Sequence, residues 1–361
     1  MRVGVLGAGQ LGRMLALAGY PLGLEFRLLD TVVQAPAGAL AQLMVGDYAD
    51  LDLLDRFAED LKVITYEFEN VPLPAAEYLS HRVAVFPPPV ALEAAQDRVA
   101  EKIFFQGLNI PTPIFYPLLT KNDLLDGLER TDLPAVLKTR TLGYDGKGQF
   151  VLRRKADVDR AWEALGGQPL ILEAFVEFER EVSILAVRSR TGEIAFYPLV
   201  ENHHREGILR KSLVPAPALT PELQAQAEDY AVRVLERLGY VGVLAIEFFQ
   251  VGAQLYANEM APRVHNSGHW TIEGAETSQF ENHLRAVLGL PLGSTASRGH
   301  SAMLNLIGVK PDFARVLSVP GAHLHWYGKE VRPGRKVGHV TVRVDSGGEL
   351  ESAVQAVSAL L

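Results

Sequence analysis

The sequence predicts an open α/β unit followed by an α+β unit, and three observations carry that reading. Residues 1 to about 93 alternate short apolar runs with helical patterns, "RVGVL", "QLGRMLALAGY", "FRLLD", "LDLLDRFAEDL", "KVITYEF" and "HRVAVF", as a parallel sheet with crossover helices does. The "FPPP" at 86–89 closes that unit, because three prolines continue neither a central strand nor a helix. From "AAQDRVAEKIFFQGLNIPTP" onward one helix leads into strands joined through glycine-bearing turns, close enough in sequence to pair antiparallel.

Element by element, strands are expected at 135–139, 149–153, 181–188, 193–200, 243–250 and 254–260. Beyond Pro291, "SAMLNLIG", "AHLHWYG" and "KVGHVTVRV" read as three more strands, before a closing helix with Leu350, Val354, Val357 and Leu361 on one face. The expected division is 1–93, 94–290 and 291–361, with a glycine-rich subdomain at about 111–175 inside the second part.

Composition narrows the function classes. The 361 residues carry 35 basic and 43 acidic side chains, a net charge of −8 without blocks of like sign, so no nucleic-acid or anionic-membrane surface is expected. Cysteine is absent, which removes disulfides, zinc-thiolate sites and thiol nucleophiles. With no signal-peptide pattern and no run of about 18 apolar residues, a cytoplasmic protein is the expectation.

Several segments carry chemistry. "GAGQLG", Gly7 to Gly12, follows a strand and opens a helix, with Asp30 at the spacing of a ribose-binding acid; alone it would suggest NAD, and more generally an anion at a helix N-terminus, or simply a tight turn. Glu247 interrupts an apolar strand and Glu259 ends the next, with Asn258 beside it. Their parity can set the two carboxylates on one face, where they repel unless a cation sits between them, and oxygen ligands favour magnesium held jointly with phosphates. "LKTRTLGYDGKGQ" places Lys138 at a strand end before a glycine-rich connection with Lys147, longer than a bare hairpin needs and suited to covering phosphates, though a plain flexible loop remains open. "NEMAPRVHNSGHWT", Asn258 to Thr271, concentrates an acid, an arginine, two histidines and two asparagines in fourteen positions.

In order and content these segments, with "DRVAEK", "EAFVEFEREVS", "SQFENHLRAVLGLP" and "KEVRPGRKVGHV", resemble the ATP-grasp superfamily. Within it they are most similar to the N5-carboxyaminoimidazole ribonucleotide synthetases of purine biosynthesis. The resemblance covers nearly the whole chain, and "APRVHNSGHWT" with "RPGRKVGH" is its most specific part. It implies an ATP-grasp fold with an N-terminal Rossmann-like pre-ATP-grasp domain and a small C-terminal β-rich domain. The implied reaction has ATP phosphorylate bicarbonate to carboxyphosphate, whose carboxyl group passes to the amine of 5-aminoimidazole ribonucleotide (AIR). ATP and Mg²⁺ are then required, biotin and NAD are not, and the assembly is a homodimer.

Carried over by residue, the resemblance makes Arg98 and Lys138 nucleotide-phosphate contacts and Gly143 to Gln149 (Tyr144, Asp145, Gly146, Lys147, Gly148) the lid. Glu173, Ala174, Phe175 and Val176 become the adenine segment, Glu181 the ribose acid and His204 a further nucleotide contact. Glu247 and Glu259 become magnesium ligands beside Asn258. Arg263, His265 and Asn266 face bicarbonate, carboxyphosphate and AIR, with Tyr144 and Asp145 bordering AIR. Lys329, Arg335 and Lys336 clamp the ribonucleotide phosphate, and Gln10, Glu67 and Glu69 line the AIR pocket. His269, Trp270, His323 and His325 read as structural. Three rivals stand beside this reading: a formate-dependent glycinamide ribonucleotide transformylase, an NAD-dependent oxidoreductase and a non-catalytic nucleotide-binding regulator.

Overall fold

The computed structural model describes residues 1–143 and 146–361. Its first sheet contains β1 (Arg2–Leu6), β2 (Glu25–Asp30), β3 (Gln42–Val45) and β4 (Val63–Tyr66), all parallel, in the order β3-β2-β1-β4. The "HRVAVF" run adds only an isolated bridge, Ile64 to Val85. The prolines that end this unit also start a helix: Pro89 opens Pro89–Gln96, where its missing N–H would have had no partner anyway.

A four-stranded antiparallel sheet follows, from β5 (Phe115–Leu118), β6 (Ala135–Thr139), β7 (Gln149–Leu152) and β8 (Leu170–Ala174), ordered β5-β8-β6-β7. The connection between β6 and β7 is the glycine-rich segment. Gly148 has φ +72° and a Cβ there would lie 2.6 Å from Thr139 Oγ1, so the return into β7 needs glycine on both counts.

The largest sheet has nine strands: β9 (Arg180–Arg188), β10 (Ile194–Phe196), β11 (Val200–Arg205), β12 (Ile208–Val214), β13 (Gly242–Val251), β14 (Gln254–Ala261), β15 (His300–Ile307), β16 (Ala322–Trp326) and β17 (Lys336–Val344). Its path is β14-β13-β9-β11-β12-β15-β17-β16, with β10 flanking β9. The single strand expected at 193–200 is two strands, because Pro198 lacks the N–H that a continuous ladder requires. The C-terminal strands join this sheet through the β12–β15 pairing.

One face of β9 and β13 carries Leu185, Val187, Val243 and Ala245 into a core shared with Val3, Val5 and Leu28 of the first sheet and with Trp270. The opposite face, with Val182, Ile184, Leu244 and Ile246, packs on the helix Pro221–Arg237. His283 ties the first sheet to the large one, its Nε2 2.7 Å from Thr65 Oγ1 and its Nδ1 accepting from the Val243 N–H at 3.1 Å. Burial holds this imidazole neutral, down to about 3.

Leu185 also seats the turn at Asn266–Gly268, since a Cβ on Gly268 would fall 2.3 Å from Leu185 Cδ2. Leu185→Ala is expected to cost about 2–5 kcal/mol of stability. Denaturant unfolding with an unchanged midpoint would contradict this packing.

Candidate active site

Between the lid sheet and the large sheet opens a cleft of about 490 Å³, whose walls include Arg98, Lys138, Phe175, Phe178, Glu181, His204, Glu247, Phe249, Asn258, Glu259, Arg263, His265, Asn266 and Lys336. The lid residues Gly143, Gly146, Lys147, Gly148 and Gln149 border it, as do Gln10 and Glu69. Tyr144 and Asp145 lie outside the described residues. Lid and large sheet meet closely: at Gly146 (φ +74°) a Cβ would sit 2.4 Å from the Glu206 carbonyl oxygen.

Strand register builds the acidic floor. Glu247 of β13 stands opposite Glu259 of β14, while the next pair joins Phe248 to Ala257, leaving Asn258 as the extra residue of a β-bulge. A bulge sets two residues against one, which lets the neighbours Asn258 and Glu259 both line the cleft. Burial and the Glu259 charge push the Glu247 carboxyl up to about 7. Glu259 is held below the usual range despite its burial by Arg98, whose Nη1 lies 2.9 Å from its Oε2. Asn258 Oδ1 is buried without a hydrogen-bond partner. Two opposed carboxylates and an unengaged amide oxygen form a hard, all-oxygen set that fits a magnesium ion.

Glu181, His204 and Glu247 each bring one ligand atom to within 4.8 Å of the others. His204 Nδ1 is 3.0 Å from Glu181 Oε2, without the alignment of a hydrogen bond. Burial disfavours its imidazolium, yet Glu181, Glu247 and Glu259 together hold it up, to about 9. In the cation-free protein this histidine supplies positive charge to the carboxylates.

Beneath the cleft lies a buried triad. Lys138 Nζ is 2.8 Å from Glu173 Oε2, and Lys102 Nζ is 3.6 Å from its Oε1 and donates to the Asn258 carbonyl at 2.9 Å. Although burial would raise Glu173, the two ammonium groups hold it down to about 2. Of the segment Glu173 to Val176, only Phe175 belongs to the cleft wall; the Glu173 carboxylate is spent on the two lysines. Sequence reasoning missed Lys102, although "DRVAEK" contains it at one helical turn from Arg98. It also missed the Phe178–Phe249 stack, centroids 4.8 Å apart and 12° from parallel, which gives the cleft an aromatic wall.

The segment after Glu259 is held from below. Arg263 donates through Nε to Glu69 Oε2 at 2.5 Å. Gln279, fully buried, grips both backbone groups of His265, accepting from its N–H at 2.9 Å and donating to its carbonyl at 2.6 Å. Asn266 and Asn305 exchange reciprocal amide bonds at 3.1 and 2.6 Å. His265 is held neutral by burial and by Arg263, with its Nε2 3.3 Å from Glu247 Oε1. His269 and Trp270 are buried away from the cleft.

The glycine loop is occupied by the chain itself. Glu67 accepts from the Gly9 N–H and, at 2.7 Å, from the Gly12 N–H, while Asp30 accepts from the Ala8 and Val32 N–H groups at 2.8 and 3.0 Å. The anion that a helix N-terminus attracts is therefore the Glu67 carboxylate, and the acid that would hold a ribose is used in the turn. Glu67 accordingly sits behind the loop and does not line the cleft, whereas Gln10 and Glu69 do. Of the three basic candidates near the C-terminus, Lys336 reaches the cleft, Lys329 hydrogen-bonds Gln10 Oε1, and Arg335 is exposed outside the wall.

A lid sheet over a large antiparallel sheet, with opposed carboxylates, cleft-lining lysines and an aromatic wall, defines the class as ATP-grasp. The comparisons agree with that class. The ATP-grasp domain family matches residues 103–280, the ribonucleotide synthetase preATP-grasp domain residues 1–96, and the phosphoribosylaminoimidazole carboxylase C-terminal domain residues 301–353. An N5-carboxyaminoimidazole ribonucleotide synthase of Pseudomonas aeruginosa is 55% identical over 361 residues, covering 100% of this chain and 99% of the relative. The crystal structure of N5-carboxyaminoimidazole ribonucleotide synthetase from Thermus thermophilus is 64% identical with TM-score 0.95, over 99% of this chain and 98% of that one. The Aspergillus clavatus enzyme, solved in complex with ADP and AIR, is 32% identical with TM-score 0.93, over 99% and 98%. This chain belongs to the N5-carboxyaminoimidazole ribonucleotide synthase family, whose members are ATP-grasp ligases.

Two expectations test the electrostatics. Glu173→Gln leaves two buried lysines without their nearest counter-charge and should cost about 3–5 kcal/mol in unfolding measurements. In EDTA, stability should fall as pH rises from about 6.5 to 9, above the range in which the buried neutral histidines His265 and His283 make it rise. Glu247, raised from 4.5 to about 7, is harder to ionise when folded, so its contribution is lost between those values. His204, raised from 6.5 to about 9, contributes fully below 6.5 and nothing above about 9. Denaturation midpoints that climb from pH 6.5 to 9, or a His204→Gln variant as steep as the parent, would contradict these assignments.

Proposed function

We propose that this chain carboxylates AIR with bicarbonate at the expense of ATP, giving N5-carboxyaminoimidazole ribonucleotide, ADP and phosphate. The observation that carries the reading is that the Glu247–Glu259 pair and Arg263, His265 and Asn266 open onto one cleft beneath the lid segment. A bicarbonate oxygen attacks the γ-phosphorus as the bond to ADP breaks, forming carboxyphosphate. The amine nitrogen of AIR then attacks the carboxyl carbon, phosphate departs and the nitrogen loses a proton.

Phosphoryl transfer needs positioning and charge neutralisation more than covalent help from the protein. Lys138 and Arg98 neutralise the nucleotide phosphates, and the Phe175, Phe178 and Phe249 wall takes the adenine. Glu247, Glu259 and Asn258 would hold magnesium, which would supply charge neutralisation to the nucleotide phosphates. Arg263, its guanidinium plane fixed by Glu69, presents its remaining donors to the oxygens of bicarbonate. Lys336 takes the ribonucleotide phosphate from the far wall, and closure of the lid keeps water from a labile acyl phosphate. A homodimer in the cytoplasm accompanies this reading and rests on the family likeness. Among the described residues no helix is long and apolar enough to cross a membrane.

The direct test is magnesium-dependent ADP release with AIR and bicarbonate supplied separately and together. Release should require AIR and consume bicarbonate into an acid-labile product. Arg263→Ala should lower that release by about 10²–10³-fold while a fluorescent ATP analogue still binds. Stimulation by formate with glycinamide ribonucleotide, and none by AIR, would overturn the assignment.

A further inference from the structure

A line of hydroxyl and amide groups runs behind His265 through the interior of the large sheet. His265 Nδ1 lies 2.9 Å from Ser267 Oγ and 3.3 Å from the Ser267 backbone N–H. Ser267 Oγ is 2.9 Å from Ser183 Oγ, Ser183 Oγ is 2.9 Å from Asn202 Nδ2, and Asn202 Oδ1 is 2.8 Å from Ser212 Oγ. Ser183, Ser212 and Ser267 are 0% exposed and Asn202 4%. We propose that Ser267, Ser183, Asn202 and Ser212 form one proton-ordered chain that fixes His265 as its Nε2–H tautomer, facing Glu247, and so act as positioning residues for the ligase reaction. This inference rests on the function proposed above.

The direction of the chain follows from what each atom can do. A backbone N–H only donates, so the Ser267 N–H beside Nδ1 marks that nitrogen as an acceptor. Ser267 Oγ can then give its own proton to Nδ1 and accept the proton of Ser183 Oγ. Ser183 Oγ accepts from the Asn202 amide, whose oxygen accepts from Ser212. Along the chain each bond has one donor and one acceptor, and at Nδ1 the Ser267 hydroxyl at 2.9 Å and the longer Ser267 N–H contact at 3.3 Å share the single lone pair. A neutral imidazole carries a single proton, which is left on Nε2.

Strand register places the chain on the catalytic face. Ser183 pairs with Glu247, and Asn202 pairs with Ser212. Their neighbours on that face, Leu185, Val243 and Ala245, are apolar core. Alanine or valine at 183 would fill such a position without desolvating a hydroxyl, so three serines and an asparagine in sequence are not what packing alone selects. With the other tautomer, His265 would turn a lone pair toward Glu247 Oε1 at 3.3 Å and lose the donor it can offer to an oxygen of bicarbonate or carboxyphosphate.

The test is the tautomer, read by long-range ¹⁵N–¹H correlation on the full chain labelled at histidine, at pH 8 without substrates, with His265→Gln assigning the signals. The parent should show Nε2–H at His265. Ser183→Ala should give mixed or exchanging tautomers, and AIR-dependent kcat should fall about tenfold with KM for ATP changed by less than about twofold. If Ser183→Ala does not fold, Ser267→Ala is read by the same criteria. Nδ1–H in the parent overturns the proposal, as does a variant that keeps the parental tautomer whether or not its activity falls. Loss of the AIR reaction in the parent would instead refute the proposed function, because the tautomer is measured without turnover.

Discussion

Glu259 is the charge on which the cleft depends. Arg98 holds it ionised despite its burial, and its charge adds to burial in raising Glu247 opposite and Glu101, which accepts from the Met260 N–H at 2.6 Å. Two ammonium groups and a guanidinium from the helix Arg98–Gly107 and from β6 meet three carboxylates within a few side-chain lengths. Such an arrangement is costly to bury unless each charge is matched, so the position of any one member constrains the others. His204 adds a further positive charge, its imidazolium held by Glu181, Glu247 and Glu259 against the effect of burial.

The sheets convert this balance into geometry. β13 and β14 supply the carboxylates, a bulge adds Asn258, and β9, β11 and β12 continue the same face with polar groups behind His265. The opposite face of β9, β13 and β14 is largely apolar, with Val182, Ile184, Leu244, Ile246 and Met260, and rests on the helix Pro221–Arg237, which makes the polar face a rigid platform. The lid sheet meets this platform through glycines, at Gly146 and Gly207, where a side chain on either would strike the other's backbone. A tight approach of two backbones is one way a cover can exclude water without a large interface.

Much of this was legible in the chain. The parallel unit, the glycine-rich connection, the paired glutamates and the polar run from Asn258 to Thr271 are local patterns, and period, turn chemistry and residue type report local structure directly. Glu247 and Glu259 could be set on one face as opposite or diagonal neighbours, and the bulge at Asn258 decided that they stand opposite. Pro198 could have been read as a break between strands. By contrast, the ligand of the glycine loop was not readable, since nothing local to Gly7–Gly12 indicates that Glu67, 55 residues from Gly12, fills it.

The sequence by itself determined the fold class, the family and the chemical character of the cleft, because these follow from residue types at short spacings. Only the tertiary structure decided which charges meet. Lys102 and Lys138 share Glu173, Glu69 fixes Arg263, and Ser183 reaches His265 through Ser267 across 84 residues of chain. Hydrogen bonds and ion pairs act over about 3 Å, and strand order, not sequence distance, sets which groups come that close.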